Sequence, residues 1–247
     1  MGDRDLKGKV ALVTGSSSGI GAATARALDA LGATVVVNSS TSVAAGEAVA
    51  SSLSDASYVQ SSVTGDETAA ADLIATVLER HGRLDVLVNN AGTTQVIPHA
   101  DIDAADLEVW RRIFEVNVFG TWALTSAALP HLRATSGSIV NVSSIAGLRP
   151  TGSSIPYAAS KAALNHMTVL LAKVVGPEVR INAVAPGLVD TPWTEDWNAI
   201  REFVSAVAPL KRSAAPEDVA EVIVDLAVAS FVTGQVVTVD GGLTLAT

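Results

Sequence analysis

Short runs of apolar, mostly β-branched residues alternate along the chain with longer stretches in which apolar residues recur at helical spacing. The short runs predict seven strands, over residues 9–14, 33–38, 57–63, 84–88, 139–143, 180–184 and 235–239. The longer stretches predict helices over residues 22–31, 43–53, 67–81, 157–175 and 217–229, and one or two helices within 104–132. Strands that alternate with helices pair in parallel through right-handed crossovers. We therefore expect an α/β fold with a doubly wound parallel sheet of about seven strands and helices on both faces.

Composition fits one large domain with an aliphatic core. The chain has 247 residues, of which 49% are hydrophobic and only 4% aromatic, and no Pro/Gly/Ser-rich linker divides it. A Val- and Ala-rich core is typical of a parallel sheet that is covered on both faces. We expect a single domain over residues 1–247.

Charge and targeting features narrow the class of protein. The formal net charge is −9, which argues against binding to nucleic acid or to anionic membrane surfaces. The chain has no cysteine, and this excludes a disulfide framework and thiolate chemistry. The N-terminal residues lack the apolar core of a signal peptide, and no uncharged apolar run reaches the length of about 18 residues that a membrane span needs. We expect a cytoplasmic protein.

A glycine-rich turn follows the first predicted strand and opens the first predicted helix. It reads Thr-Gly-Ser-Ser-Ser-Gly-Ile-Gly over residues 14–21. Glycines let the backbone approach a pyrophosphate, and the N-terminus of the helix offers unpaired N–H groups and a partial positive charge. The turn therefore predicts a dinucleotide site, although its spacing differs from the commonest glycine fingerprint and a plain flexible loop remains the alternative.

The end of the second predicted strand bears on the choice between NAD and NADP. An acidic residue in this region binds the 2′-hydroxyl of the adenosine ribose and indicates NAD. Here the chain reads Asn38-Ser39-Ser40-Thr41-Ser42, with no carboxylate to repel a 2′-phosphate and four hydroxyls to donate to one. The segment favours NADP(H), but it has no arginine, so a modest preference is expected; a simple polar turn is the alternative.

A serine, a tyrosine and a lysine form the candidate reactive group. Tyr157 and Lys161 are four residues apart, which puts them on one face of a helix. A neighbouring cation favours the phenolate and lowers the pKa of a tyrosine. Ser144 ends the fifth predicted strand, at the sheet edge where such folds bind ligands. Together the three side chains could hold a carbonyl oxygen and exchange a proton with it, although a Tyr-x-x-x-Lys pair alone is usually just a helix face.

Nearly the whole chain resembles the single-domain short-chain dehydrogenase/reductase family, which has a Rossmann-type fold. The glycine-rich turn looks like the cofactor motif of the family, and residues 89–92 (Asn-Asn-Ala-Gly) look like the motif that supports the sheet on the adenosine side. Asn117 matches the helix asparagine of the catalytic tetrad, and Ser144 precedes Tyr157 by thirteen residues, as in that family. Residues 186–191 match the stretch that holds the nicotinamide carboxamide.

The resemblance implies an oxidoreductase that interconverts a carbonyl and an alcohol by hydride transfer. It implies that Tyr157 is the general acid or base, that Lys161 lowers the pKa of Tyr157 and binds the nicotinamide ribose, that Ser144 orients the substrate oxygen and that Asn117 holds a water. The expected cofactor residues are Gly15, Ser17, Ser18, Gly19, Ile20, Gly21, Asn38, Ser39, Ser40, Thr41, Ser62, Val63, Asn90, Ala91, Gly92, Tyr157, Lys161, Pro186, Gly187, Val189 and Thr191.

Two positions depart from the family pattern, and both concern the cofactor. Ser62 and Val63 stand where the family often has Asp-Val beside the adenine, and Ser18 stands where many NADP-preferring members carry a basic residue. NADP(H) is therefore the expected cofactor and NAD(H) the alternative. A dinucleotide-binding sensor or scaffold without catalysis is the rival from another class, and the complete set of four catalytic residues argues against it.

The substrate is expected to be a small, moderately apolar carbonyl or alcohol. Residues 190–212 hold an aromatic and aliphatic cluster that predicts a lid, with a surface helix as the alternative. The expected substrate contacts are Thr94, Ile145, Leu148, Trp193 and Trp197. The four histidines have no ligand spacing, so no metal is expected. The last predicted strand resembles one that often packs in a tetramer interface, so we expect a homotetramer or a dimer.

Overall fold

Seven strands and nine helices make up the part of the chain that the structure, a computed structural model, describes, which is residues 5–246. The strands are β1 (Val10–Val13), β2 (Thr34–Ser39), β3 (Ala56–Gln60), β4 (Val86–Asn89), β5 (Ser138–Val142), β6 (Arg180–Pro186) and β7 (Val236–Val239). The helices are α1 (Gly19–Ala30), α2 (Val43–Ser51), α3 (Glu67–His81), α4 (Leu107–Phe114), α5 (Thr121–Thr135), α6 (Ile155–Val175), α7 (Asn198–Val207), α8 (Pro216–Val228) and α9 (Leu243–Ala246).

All seven strands pair in parallel, in the order β3-β2-β1-β4-β5-β6-β7. The order reverses between β1 and β4, so the chain winds outward in both directions from that point. The predicted doubly wound parallel sheet is confirmed. In such sheets the loops after the two central strands separate and leave a ligand crevice at the carboxyl edge.

Side chains alternate between the two faces of the sheet, and each face has its own helices. In β1, Ala11 and Val13 pack in one apolar cluster together with residues of α1 and α8, whereas Val10 and Leu12 pack in a second cluster with residues of α3, α5 and α6. The central strands β1, β4 and β5 are fully buried, which is why they read as continuous apolar runs rather than as an alternating pattern. The edge strands β3 and β7 are only partly buried.

Two predicted boundaries are corrected, and the number of helices within residues 104–132, which the sequence left open, is now known. The helix α1 begins at Gly19 rather than at residue 22, because Ala22 N–H already bonds the Ser18 carbonyl at 3.1 Å. The strand β3 ends at Gln60 rather than at residue 63, because its partner β2 ends at Ser39, opposite Gln60. The stretch 104–132 contains two helices, joined by a π-helical turn over Glu115–Gly120.

The segment after β6 contains a helix, which the sequence offered as the alternative to a lid. The helix α7 covers Asn198–Val207, within the region expected to form a lid. Its Val204 packs with Ile145, Leu188 and Leu243, and Trp197 packs against the same cluster, so the segment is attached to the body of the sheet.

Among residues 5–246, no helix combines the length and the apolar character that crossing a membrane requires. A cytoplasmic location stays a prediction.

Candidate active site

A cleft of about 1180 Å³ opens at the carboxyl edge of the sheet, beside the point where the strand order reverses. Most of the predicted cofactor and substrate residues line it, from Gly15 in the first loop to Trp197 in the lid segment. The exceptions are Gly21, Asn117 and Leu148. Leu148 is exposed outside the lining, so its role as a substrate contact stays a prediction.

The glycine-rich turn is shaped for the close approach of a ligand backbone. Gly15 and Gly19 have φ of 60° and 53°, in the left-handed region that favours glycine. A Cβ on Gly21 would lie 2.5 Å from the Gly15 carbonyl oxygen, which explains a glycine there although it does not line the cleft. The turn leads directly into α1. The first N–H groups of this helix lie at its cleft end and have no partners inside the helix. This cradle fits the pyrophosphate of a dinucleotide.

Asn90 fixes the turn against the neighbouring strand. Its side-chain amide donates to the Thr14 and Gly15 carbonyls at 2.8 and 2.9 Å. The Thr14 hydroxyl in turn accepts from the N–H groups of Asn90 and Ala91, both at 3.0 Å. The loop after β4 therefore holds the glycine turn in place through a closed set of hydrogen bonds.

The predicted residues for the adenosine ribose divide into two kinds. Asn38 is buried, and its amide donates to the Val59 and Ser61 carbonyls at 3.1 and 3.0 Å. Ser39 is also buried, and its hydroxyl lies 2.8 Å from the Tyr58 hydroxyl. Ser40 and Thr41 are exposed in the cleft and are the residues free to meet a ligand here.

Ser144 and Tyr157 lie together at the middle of the cleft. Ser144 follows β5 and begins a short helical turn over Ile145–Gly147, in which its hydroxyl accepts from Ala146 N–H at 3.2 Å. Tyr157 lies in the first turn of α6, which Ser154 caps. Both side chains line the cleft, and the Ser144 hydroxyl is close enough to the Tyr157 phenol to lower its pKa. Both hydroxyls can therefore reach one oxygen atom of a ligand in the cleft.

Lys161 lies one helical turn after Tyr157, as predicted. Its Nζ atom is 5.7 Å from the centre of the Tyr157 ring and donates to the Val142 carbonyl at 2.8 Å. The side chain is only 4% exposed, and burial lowers the pKa of Lys161 to about 8.

The predicted lowering of the pKa of Tyr157 is not found in the protein alone. Burial raises the pKa of Tyr157 to about 12, and the nearby Ser144 hydroxyl offsets this only in part. The reason is that the tyrosine sits against protein on most sides, and removal of water disfavours the phenolate.

Asn117 is placed by the π-helical turn between α4 and α5. Its amide donates to the Thr93 carbonyl and to the Ser160 hydroxyl, both at 3.0 Å, and its carbonyl accepts from Thr93 N–H at 2.8 Å. Ser160 donates to the Tyr157 carbonyl at 2.7 Å. Asn117 is therefore connected to the start of α6 although it is buried beneath the lining of the cleft. Single turns of π-helix occur often at functional sites.

The far wall of the cleft comes from the segment after β6. Gly187 N–H bonds the Val239 carbonyl at 3.0 Å, and a Cβ at Gly187 would lie 2.9 Å from Asp240 Cβ. Thr191 approaches Gly19 across the cleft, since a Cβ on that glycine would lie 3.1 Å from Thr191 Cγ2. The loops that follow β1 and β6 therefore meet over the space where a dinucleotide would lie.

Several residues of the cleft were not predicted to line it. They include His99, whereas Ile200 and Phe203 belong to the cluster within residues 190–212 that was predicted to form a lid. The Nε2 atom of His99 is buried without a hydrogen-bond partner among the described residues. Nothing in its spacing marked it, because the loop that carries it reaches the cleft through the bond of Ile97 N–H to the Ser153 carbonyl at 2.8 Å. No group of three His, Asp or Glu side chains within residues 5–246 is placed to hold a metal ion.

Comparison with known proteins gives matches along almost the whole chain. Residues 15–244 match the family model described as enoyl-(acyl carrier protein) reductase. The granaticin polyketide synthase ketoacyl reductase 2 of Streptomyces violaceoruber is 57% identical over 237 residues, which cover 94% of this chain and 95% of that protein. A 3-oxoacyl-[acyl-carrier-protein] reductase of Thermotoga maritima is 38% identical, with 97% of this chain and 99% of that protein covered.

Solved structures give the same result for the fold. The crystal structure of a short-chain dehydrogenase/reductase from Burkholderia xenovorans superposes with a TM-score of 0.90 at 38% identity, and the match covers 96% of this chain and 98% of that one. The crystal structure of levodione reductase superposes with a TM-score of 0.90 at 30% identity, over 98% of this chain and 99% of that one.

Proposed function

The chain belongs to the short-chain dehydrogenase/reductase family, and from this premise we propose that it is an NADP(H)-preferring enzyme that interconverts a carbonyl and an alcohol, with Tyr157 as general acid or base. The family membership makes it an oxidoreductase with a nicotinamide dinucleotide cofactor that acts on CH–OH or C=O groups of small molecules. The choice of NADP over NAD, the catalytic role of Tyr157 and the action of residues 1–247 as one domain are the proposals.

The meeting of Ser144 and Tyr157 at the cleft, with Lys161 beside them, is the observation that carries the proposal. The bound cofactor supplies the hydride, which adds to the carbonyl carbon. In the reductive direction the Tyr157 hydroxyl gives its proton to the carbonyl oxygen, and an alcohol results. The Ser144 hydroxyl donates a hydrogen bond to the same oxygen and holds it in place while charge develops there.

Lys161 and Asn117 support this proton transfer. Lys161 extends its ammonium group beneath the tyrosine, where it can bind the ribose hydroxyls of a cofactor in the cleft. Asn117 fixes Thr93 on one side and Ser160 on the other, so it keeps the loop after β4 at a fixed distance from α6. Hydrogen bonds thus hold Lys161 to the end of β5, and Asn117 to Thr93 and Ser160. Proton transfer to a positioned substrate requires side chains that are fixed in this way.

NADP(H) is preferred because the adenosine end of the cleft can accept a phosphate. Ser40 and Thr41 present exposed hydroxyls there, and α2 begins at Val43, with its N-terminus and partial positive charge nearby. Asp196 is the one carboxylate among the residues that line the cleft, and it lies in the lid segment. A 2′-phosphate therefore meets no negative side chain, although it meets no arginine or lysine either.

A fluorescence titration with NADPH and NADH tests the cofactor choice. We expect tighter binding of NADPH. Tighter binding of NADH would contradict the NADP(H) proposal and leave the catalytic group untouched, whereas binding of neither would contradict the proposed function altogether.

Turnover on a panel of ketones tests the chemistry against the rival idea of a non-catalytic sensor. The enzyme should oxidise NADPH in the presence of at least one ketone, and the Tyr157→Phe variant should bind the cofactor without comparable turnover. A protein that binds the cofactor but turns over no ketone would support the sensor.

We also propose that the enzyme acts as a homotetramer, with a dimer as the alternative. Large apolar side chains are exposed on neighbouring surfaces of the π-helical turn, α5 and α6, where a second copy would cover them. They are Phe119, Trp122, Val169, Leu170 and Val174.

A further inference from the structure

We propose that the substrate is an uncharged ketone with a flat ring system, held against Trp193 and Phe203. This inference rests on the proposed function, because it concerns the substrate of the same site. Trp193 and Phe203 are 48% and 52% exposed, and both line the cleft that contains Tyr157. Large aromatic side chains left open inside a cleft indicate a ligand that covers them.

Trp193 stands directly beside the proposed proton donor. Its ring centre is 6.5 Å from that of Tyr157, and the two ring planes meet at 73°. This edge-to-face geometry leaves Trp193 next to the place where a carbonyl oxygen would meet the Tyr157 hydroxyl. A ring fused or attached next to that carbonyl would therefore lie against the indole, and aromatic pairs prefer such offset or edge contacts.

The lid segment presents Phe203 from a fixed position. Val204 is buried against Ile145 and Leu188, so one face of α7 is anchored to the body. Ile200 and Phe203, three residues apart on the adjacent face, line the cleft and remain about half exposed. Phe203 is thus presented from a packed helix, and together with Trp193 it forms the aromatic wall of the cleft. A rigid apolar wall favours a rigid, flat ligand over a flexible chain.

The charged groups of the cleft wall disfavour substrates that carry a carboxylate or a phosphate. Lys161, Asp196 and His99 are the ionisable groups other than Tyr157 that line it among residues 5–246. The ammonium group of Lys161 is already bonded to the Val142 carbonyl beneath the tyrosine. Asp196 lies in the lid segment with Trp193, where it would repel a carboxylate or a phosphate. Arg149, the nearest arginine in sequence to Ile145, lies outside the lining.

The experiment compares four ketones with the cofactor that the titration selects. They are 2-tetralone, which is flat and uncharged; cyclohexanone, a small ring; 2-octanone, an open chain; and 4-oxocyclohexanecarboxylate, a charged ring. We expect kcat/KM for 2-tetralone to exceed that for 2-octanone and for the carboxylate by about tenfold or more, the range that pocket contacts can supply, with cyclohexanone in between. Equal or better turnover of the open chain or of the carboxylate would overturn this inference alone.

Variants test whether the aromatic wall causes the preference. Trp193→Ala should lower kcat/KM for 2-tetralone by about tenfold, mainly through KM, and should affect 2-octanone less. Trp193→Phe should retain most of the activity, because it keeps an aromatic face. Phe231 is also an exposed aromatic residue but lies between α8 and β7, outside the cleft, so Phe231→Ala is the control and should behave as wild type.

The outcomes separate the two proposals. If Trp193→Ala lowers the rates of all four ketones equally, the indole has no part in recognition and the inference is wrong. If the wild type reduces no ketone at all, the proposed function is wrong, and the proposed substrate class is then wrong as well. The preference of the wild type among the four ketones does not depend on any variant, so it decides the matter even where a variant fails to fold.

Discussion

The glycine at position 21 gives the sharpest test of how the cleft holds a dinucleotide. A Cβ there would lie 2.5 Å from the Gly15 carbonyl oxygen, 2.6 Å from Asn90 Nδ2 and 2.8 Å from Ser16 Cα. Carbon atoms pack at about 3.5–4.0 Å, so Gly21→Ala cannot be accommodated unless the turn moves by roughly 1 Å. Two of the three neighbours belong to the backbone of the turn itself, and the third is the side chain that fixes it.

The expected magnitude follows from this crowding. Forcing a methyl group into a packed site costs about 1–3 kcal/mol, and every 1.4 kcal/mol is about tenfold in affinity. If the glycine-rich turn moves to relieve this strain, it no longer has the shape that binds the pyrophosphate. The Kd for NADPH should then rise by about 5- to 100-fold. Isothermal titration calorimetry or the quenching of protein fluorescence measures it directly.

Gly82 supplies the matched control. It closes α3 with φ of 74°, but a Cβ there would meet nothing within 4 Å. The variant Gly82→Ala should therefore lose only about 1–2 kcal/mol of stability, the cost of placing an alanine in the left-handed backbone conformation. It should bind NADPH as wild type does. A Kd for Gly21→Ala within about twofold of wild type would refute the reasoning, because it would mean that the turn can move without loss of the cofactor site.

Four further expectations can be tested on the same protein. Tyr157→Phe should lower turnover by at least ~10²-fold, the typical contribution of general acid catalysis, with the Kd for cofactor unchanged; near-normal turnover would contradict the proposed proton donor. In the free enzyme, burial lowers the pKa of Lys161 to about 8, so the ammonium form is present below that pH. The value of kcat/KM for reduction should therefore fall as the pH rises through about 8. A flat pH profile from about pH 7 to 10 would show that the charge of Lys161 has no part in the mechanism. Asp85→Asn should destabilise the fold by about 2–3 kcal/mol in urea unfolding without loss of activity once folded, because this buried carboxylate accepts from Val10 N–H at 3.0 Å and pairs with Arg83 at 2.7 Å far from the cleft. Leu170→Lys, at an exposed apolar position of α6, should lower the mass found by light scattering if that surface joins two copies; an unchanged mass would place the interface elsewhere.

The Asp85 prediction has a definite pH dependence. Burial alone would raise the pKa of Asp85, but hydrogen bonds from Arg83, from Val10 N–H and from Lys9 outweigh it and hold the pKa below its usual value. A lowered carboxyl pKa contributes stability above the pKa of the unfolded chain, about 3.9, and this contribution is lost as the pH falls through the folded value. The difference in stability between wild type and Asp85→Asn should therefore shrink below about pH 4.

The order of most strands and helices was accessible from the sequence because the central strands are fully buried and several helices have a marked end. The helix α3 shows this well, since Asp66 caps its start and Gly82 ends it in a left-handed conformation, and its predicted bounds were right. The boundary of β3 was wrong because an edge strand ends where its partner ends, and apolar periodicity says nothing about the length of the partner.

Cleft residues that belong to a sequence motif were predictable. Cleft residues whose position depends on tertiary packing were not. Tyr157 and Lys161 meet because helical spacing places them together. Asn38 and Ser39 were expected to face a ligand, but tertiary hydrogen bonds use their side chains to tie β2 to β3 and to Tyr58. No motif marks Ser160 as a partner of Asn117, because the hydrogen bond between them joins segments 43 residues apart.

The protonation states of the central pair bear on the direction of the reaction. Reduction of a carbonyl needs a tyrosine that still holds its proton, and oxidation of an alcohol needs a phenolate. In the protein alone the pKa of Tyr157 is raised to about 12, so the tyrosine is protonated throughout the physiological range. Lys161, with its pKa lowered to about 8, keeps its charge at neutral pH and loses it before the tyrosine ionises. The site is therefore prepared to act as an acid at neutral pH, and any activity as a base depends on a further lowering of the pKa of Tyr157 when the cofactor is bound. We accordingly expect reduction to be the faster direction at pH 7, and oxidation to gain on it as the pH rises.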